Sequence, residues 1–168
     1  PEPLPREPTP GKSCPYDSHS VDLTLSPEIR IPEAGTFVVD LTQPYKSAEF
    51  WAKNSRALTL TSEMPFPLKP LNFILGQTCE RIILPIPKRG KTCLAARIEG
   101  KSSRARCGLL IHFTAPTVHP GWDGPLTLEM INLGPAEILL RPSMAIAQLI
   151  VEEVRGLPIA NPSQFQGQ

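Results

Sequence analysis

Residues 100–132 read GKSSRARCGLLIHFTAPTVHPGWDGPLTLEMIN. The hydroxyls of Ser102 and Ser103 open a run that stops at Gly108, which predicts one or two helical turns with a serine N-cap and glycine as the C′ residue. After it the period changes. Residues 109–114 and 125–131 are short runs bounded by Pro120-Gly121 and by Leu133-Gly134-Pro135, the marks of strands between turns. On LTLEMIN a single carboxylate, Glu129, shares a face with Thr127 and Ile131. A buried carboxylate without a partner is costly, so Glu129 asks for a nearby cation. Arg106, which on a helix projects from the same side as Ser102 four residues earlier, could meet it but equally fits a surface ion pair.

The same rhythm extends through the chain. V-D-L-T-L at 21–25 and A-L-T-L-T at 57–61 alternate with period two. Further strands are predicted over 36–41, 72–76, 80–84, 93–98, 136–140 and 145–153, with Ser26-Pro27 and 87–90 as turns. Besides 102–107, only 47–54 has a helical pattern, about two turns long. Twenty-one prolines against 11 glycines weigh against long helices, because an internal proline removes a donor and clashes with the preceding turn. Short strands at close spacing point to an all-β fold, a β-barrel or distorted jelly roll with one or two short helices.

A length of 168 residues suits one domain with tails. The division expected is a proline-rich arm over 1–15, a β-barrel domain over 16–156 and a tail over 157–168. The chain opens at Pro1 rather than methionine, as a processed or trimmed product does. Seventeen basic and 16 acidic residues give a formal charge of +1, so no global basic field argues for a nucleic-acid or membrane partner. Cys14, Cys79, Cys93 and Cys107 form no CxxC pair, and no amino-terminal apolar stretch resembles a signal peptide or a membrane span. Reduced thiols in the cytoplasm are the expectation.

Gly100-Lys101-Ser102-Ser103 supplies a lysine, two hydroxyls and the free N–H groups of a helix start, the parts of an oxyanion site. The same residues also fit an ordinary serine cap beside a surface lysine. His19, His112 and His119 have no metal-ligand spacing with the cysteines, and structural or surface roles suit each of them.

Taken in order, G-K-S-S-x-A-R-x-G-L, T-A, H-P-G-W-x-G-x-L-T-L-E-x-x-N and L-x-P-x-M-x-I-x-Q-L resemble the dCTP deaminase branch of the dUTPase superfamily. D-S-H-S-V-D-L-T-L and F-I-L-G-Q-T-C-E-R-I-I-L-P resemble its earlier strands. The resemblance implies a dUTPase-like distorted jelly roll, homotrimeric, with active sites between subunits. It implies Glu129 as the catalytic proton shuttle, Arg106 as the active-site arginine, Ser102 as the supporting serine, and Ala115 as the residue whose backbone fixes the base and the attacking water. Lys101, Ser102 and Ser103 fall where the family holds the triphosphate. Phe113, His119, Trp122 and Gln148 join them in binding nucleotide. The terminal S-Q-F-Q-G-Q is similar to a family segment that closes over the nucleotide, which adds Phe165 and Gln168.

The implied activity is hydrolysis of dCTP to dUTP and ammonia. Magnesium is expected only with the triphosphate, and zinc is not expected, because the H-x-E and P-C-x-x-C signature of zinc deaminases is missing. The pattern is departed from at Lys101, where arginine is common, at Ser143, where glycine is usual, and at His119, where many relatives carry aspartate. In diphosphatase members that aspartate activates water against the α-phosphate. A dUTP diphosphatase, a bifunctional enzyme forming dUMP, and a nucleotide-binding regulatory trimer without catalysis are the alternatives.

Overall fold

The computed structural model describes residues 14–42, 46–87 and 92–156. The proline-rich arm, apart from Cys14 and Pro15, and the tail with Phe165 and Gln168 lie outside the described residues. The elements in order are β1 (Ser20–Pro32), α1 (Lys46–Asn54), β2 (Ser55–Thr59), β3 (Phe66–Leu68), β4 (Phe73–Thr78), β5 (Ile82–Ile83) and β6 (Cys93–Gly100). Then follow α2 (Ser102–Ala105), β7 (Leu109–Ile111), β8 (Thr117–Val118), β9 (Asp123–Gly124), β10 (Thr127–Asn132), β11 (Ile138–Leu140) and β12 (Ala145–Val154). The all-β reading with two short helices holds.

The main sheet runs β7-β10-β4-β1-β12-β6-β8, with β2 added to β1; β3 with β11 and β5 with β9 form two small ribbons. β1 is the seam. Its first half pairs with β12, from Ser20 opposite Ile150 to Thr24 opposite Ala145, and its second half pairs with β4 and β2. Between Leu25 and Ile29 the register with β4 shifts. Such an irregularity bends a strand and raises its twist, so one long strand serves both halves of a curled sheet.

Ser26-Pro27 was expected to turn the chain and instead sits inside β1. Proline has no N–H to give a ladder and is tolerated where pairing is irregular; here Pro27 uses its carbonyl alone, accepting the Leu60 N–H at 2.7 Å. The predicted strand over 36–41 is also absent. Residues 36–40 have no ladder, Val38 is 94% exposed, and Asp40 turns the chain by accepting from the N–H and hydroxyl of Thr42. β-branched residues favour strands only where a neighbouring strand and a buried face are present.

The inner face of the sheet is the core. On β10 Leu128, Met130 and Asn132 point inward, as does Ile74 on β4, with Leu23, Leu25 and Ile29 from β1 and Ile146 and Leu149 from β12. Asn132 is fully buried and fully paired. It donates to the carbonyls of Leu68 (2.8 Å) and Ala136 (2.7 Å) and accepts the Gly134 N–H (2.9 Å). That side chain ties the end of β10 to β3 and to the turn before β11.

Against this turn the chain packs Gly108, which follows α2. Gly108 has φ +92, and a Cβ there would collide with the backbone of Gly134. The Leu133 N–H donates to the Gly108 carbonyl at 2.8 Å. α2 is therefore fixed to the end of the strand that carries Glu129. Gly108→Ala should destabilise the fold by at least about 2 kcal/mol, lowering Tm by about 4–8 °C in a thermal melt. A Tm within 2 °C of wild type, a margin taken as the order of a melt's error, would contradict this account.

Candidate active site

Glu129 stands in the middle of β10 on its outer, half-buried face, with Thr127 and Ile131. Across the ladder Leu75 lies opposite Glu129 and Phe73 opposite Ile131; beyond them, on β1, Arg30 lies opposite Leu75. The cation expected beside Glu129 was Arg106. Within one chain Glu129 instead meets His112. His112 Nδ1 lies 2.6 Å from Glu129 Oε2, and its backbone N–H donates to the Glu129 carbonyl at 2.8 Å. The ring contact is short but bent, so Nδ1 counts among the buried atoms without an aligned hydrogen bond.

Burial pushes the Glu129 carboxyl up, while the contact and charge of His112 and the backbone N–H of Glu129 push it down; the latter prevail, and its pKa lies below the ordinary carboxylate value. His112, for which a structural or surface role was expected, thus stands against the carboxylate. The sequence signal was slight: a polar residue directly after the apolar run 109–111. What brings it there is that β7 pairs with β10, Ile111 opposite Met130, which delivers the next residue to the carboxylate.

His112 also has φ 58. The left-handed region costs a non-glycine residue on the order of 1–3 kcal/mol and persists only where its surroundings enforce it. Phe113 follows, stacked on Phe73 at 5.4 Å between ring centroids and 26° between planes. Phe73 in turn meets Trp51 of α1 at 5.6 Å. An aromatic pair contributes about 0.5–1.5 kcal/mol beyond area burial, the same order as the backbone cost beside it.

α2 differs from its expected capping. Lys101, not Ser102, is the N-cap, with φ −80 and ψ 129 and no side-chain cap. The Lys101 carbonyl accepts the N–H groups of Arg104 and Ala105, both at 2.9 Å. Ser102 and Ser103 are the first helical residues, exposed, with hydroxyls and N–H groups that meet no partner among the described residues. Because the helix ends at Ala105 with Arg106 as C-cap, Gly108 lies two residues beyond the cap; its N–H donates to the Ala105 carbonyl at 2.9 Å.

Lys101 forms a part-buried ion pair with Asp22 of β1. Asp22 lies opposite Gln148 on β12, which faces Glu99 on β6, and the Ser20 hydroxyl reaches Gln148 Oε1 at 3.4 Å. The residues expected to meet a triphosphate therefore gather at the β1–β12–β6 end. Asp22 was missed as their counter-ion, since strand pairing alone brings residues 22 and 101 together.

Arg106 is exposed and makes no ion pair among the described residues; Ala115 and His119 are exposed as well. Trp122 packs against the core and donates its indole N–H to the Gly124 carbonyl at 3.0 Å. Phe113 keeps 40% of its surface open. No hydrogen bond or ion pair joins Ser102 or Arg106 to Glu129 within the described chain. Among the described residues no group of three or more His, Cys, Asp or Glu side chains could hold a metal ion, and no helix is long and apolar enough to cross a membrane.

A mostly β chain with a curled sheet, a carboxylate on the outer face of an inner strand and an exposed Ser-Ser turn on a short helix belongs to the all-β class. The family assignment is specific: residues 7–154 match the family described as dCTP deaminase-like. A dCTP deaminase of Rhodospirillum rubrum is 36% identical over 159 residues, 93% of this chain and 77% of that protein. A dUMP-forming dCTP deaminase of Tropheryma whipplei is also 36% identical, over 157 residues, 89% of this chain and 74% of that protein. The crystal structure of 2′-deoxycytidine 5′-triphosphate deaminase from Agrobacterium tumefaciens matches with a TM-score of 0.62 at 17% identity; it shares the fold over 82% of this chain, which spans 40% of that one. The chain belongs to the dCTP deaminase-like family.

His112→Asn should raise the Glu129 pKa, read by carboxyl-carbon NMR through an acid titration. Asparagine tolerates the left-handed backbone, so the variant removes the contact and charge that hold the pKa down and leaves burial pushing it up. An unmoved or lowered Glu129 titration would show that His112 does not set it.

Proposed function

We propose that this protein is an enzyme that hydrolyses dCTP to dUTP and ammonia. The observation that carries the reading is Glu129, half-buried, held ionised by His112 and set on a rigid central strand within the family's motif. Hydrolytic deamination adds water to C4 of cytosine and expels the amino group. One carboxylate can perform both transfers: it takes a proton from the attacking water and gives it to N3, then takes the proton of the new C4 hydroxyl and gives it to the amine, which leaves as ammonia while C4=O forms. An ionised Glu129 is in the form that accepts the first proton. Ala115 offers backbone groups to the base and water in this reading, and Lys101 with the exposed Ser102 and Ser103 meets the phosphates.

Magnesium enters as part of the substrate, carried on phosphate oxygens and water. Asp22, the carboxylate that meets this turn, is already engaged by Lys101. Nucleic acid and membrane have no part in the reading. A cytoplasmic setting goes with it, supported by the thiols of Cys79, Cys93 and Cys107.

Assembly as a homotrimer completes the proposal. Among the described residues the side chains of Arg106 and Ser102 are exposed and make no hydrogen bond or ion pair, Ala115 is exposed, and the Glu129 carboxylate is met by His112. A neighbouring copy that brings its own Arg106 and Ser102 to Glu129 would supply the missing cation and hydroxyl. Exposed Leu110, Leu133 and Leu139 give apolar surface for such contact.

His119 favours deamination without diphosphate cleavage. It is exposed in the turn before β9 and stands where the resemblance places the water-activating aspartate of diphosphatase members, so the carboxylate of that step is missing at this position. The dUMP-forming alternative is kept in view by the Tropheryma whipplei relative.

With dCTP as substrate, stoichiometric ammonia without pyrophosphate is expected; stoichiometric pyrophosphate would favour the bifunctional reading. Glu129→Gln should lower the rate by at least about 10²-fold while keeping the assembly, since general acid–base groups contribute about 10²–10⁴-fold. Sedimentation should give a trimer at micromolar concentration, and an active monomer would contradict the intersubunit site.

A further inference from the structure

The loop that follows β7 carries His112 against the carboxylate, then Phe113, and then Ala115, which the deaminase reading sets at the base. Its first residue is in the left-handed region, anchored by its N–H to the Glu129 carbonyl and by a largely buried side chain, while its second is 40% exposed and so is not fixed by burial. Phe113 is instead held through its ring. Phe73, two residues along β4 from the partner of Glu129, stacks on it from the same outer face of the sheet.

Phe73 is not boxed in by the core. It is half-buried, and an open cavity of about 290 Å³, lined also by Ile31, Pro32, Phe66 and Leu71, adjoins it. The ring contacts therefore fix where Phe73 stands. Trp51 on one side and Phe113 on the other make a three-ring clamp that joins α1, β4 and the loop.

We propose that Phe73 is a positioning residue for the reaction, holding Phe113 and through it the segment 112–115 in register with Glu129. Nothing in deaminase chemistry demands a ring at this place; it follows from this chain having phenylalanine at both 73 and 113. The kinetic part of the proposal rests on the deaminase reading, while the structural part stands without it. Phe73→Leu removes the stack and leaves an apolar residue that can slide toward the cavity. A loop freed in this way mispositions groups near the reacting atoms, and an error of about 1 Å there can cost on the order of 10²-fold.

The test compares Phe73→Leu, Phe73→Tyr and Ile138→Ala with wild type, each followed by Tm, by kcat and KM for dCTP, and by NMR exchange of the His112 amide without ligand. Ile138 lies on β11 and packs against the core, so its truncation controls for general loss of stability. Expected are a fall in kcat of about tenfold or more for Phe73→Leu and faster exchange of the His112 N–H. KM is expected to move less than kcat, with near-wild-type values for Phe73→Tyr and an unchanged kcat for Ile138→Ala. If Phe73→Leu does not fold, Trp51→Leu removes the far side of the clamp and is read in the same way. Wild-type kcat and His112 exchange in the ring-less variant would overturn the proposal, as would an equal loss of kcat in Ile138→Ala. A wild-type protein that does not deaminate dCTP would defeat the functional reading alone, leaving the exchange measurement to decide the role of Phe73.

Discussion

The backbone contact between Gly108 and Gly134 is the constraint on which the site depends. Two segments without side chains at their crossing approach more closely than any other residue pair would allow, and the left-handed backbone of Gly108 turns the chain from α2 into β7. Asn132 secures the other side by filling its hydrogen-bonding capacity inside the core. A buried amide that is fully satisfied specifies one arrangement, because any slip would strand its donors in an apolar interior. Through these two features the Ser-Ser turn and the glutamate strand become parts of one rigid body.

Glu129 itself is governed by opposed influences. Half-burial favours the neutral acid, and His112 favours the carboxylate. His112 itself has a left-handed backbone, a conformation uncommon outside glycine though histidine is among the residues enriched there. Strain beside a reactive group is supportable when neighbouring packing holds it, and here Phe113 and Phe73 are the adjacent packing. The site is thus held partly by hydrogen bonds of the sheet and partly by aromatic contacts outside it.

Much of the architecture was legible as alternation. β4, β6, β10 and β12 read as strands because their apolar residues recur on one face, and α2 read as a short turn because hydroxyls precede it and glycine follows. The same rules misplaced two features. Residues 36–41 have strand-forming composition but no partner, and Ser26-Pro27 has turn composition but lies in a strand whose pairing shifts there. Both errors arise because local preference is weaker than the energy of joining, or failing to join, a ladder.

For the site, the sequence by itself determined the chemical inventory: one carboxylate on an apolar strand, a lysine and two serines before a short helix, and an ordered motif series that identifies the family. It did not determine the pairings. That His112 rather than Arg106 meets Glu129 within the chain, that Asp22 holds Lys101, and that Phe73 supports Phe113 were decided by tertiary structure. Each joins residues 17 to 79 positions apart, brought together by strand register and the curl of the sheet. Sequence spacing encodes which face a side chain takes on its own element; only the assembled sheet decides what stands opposite it.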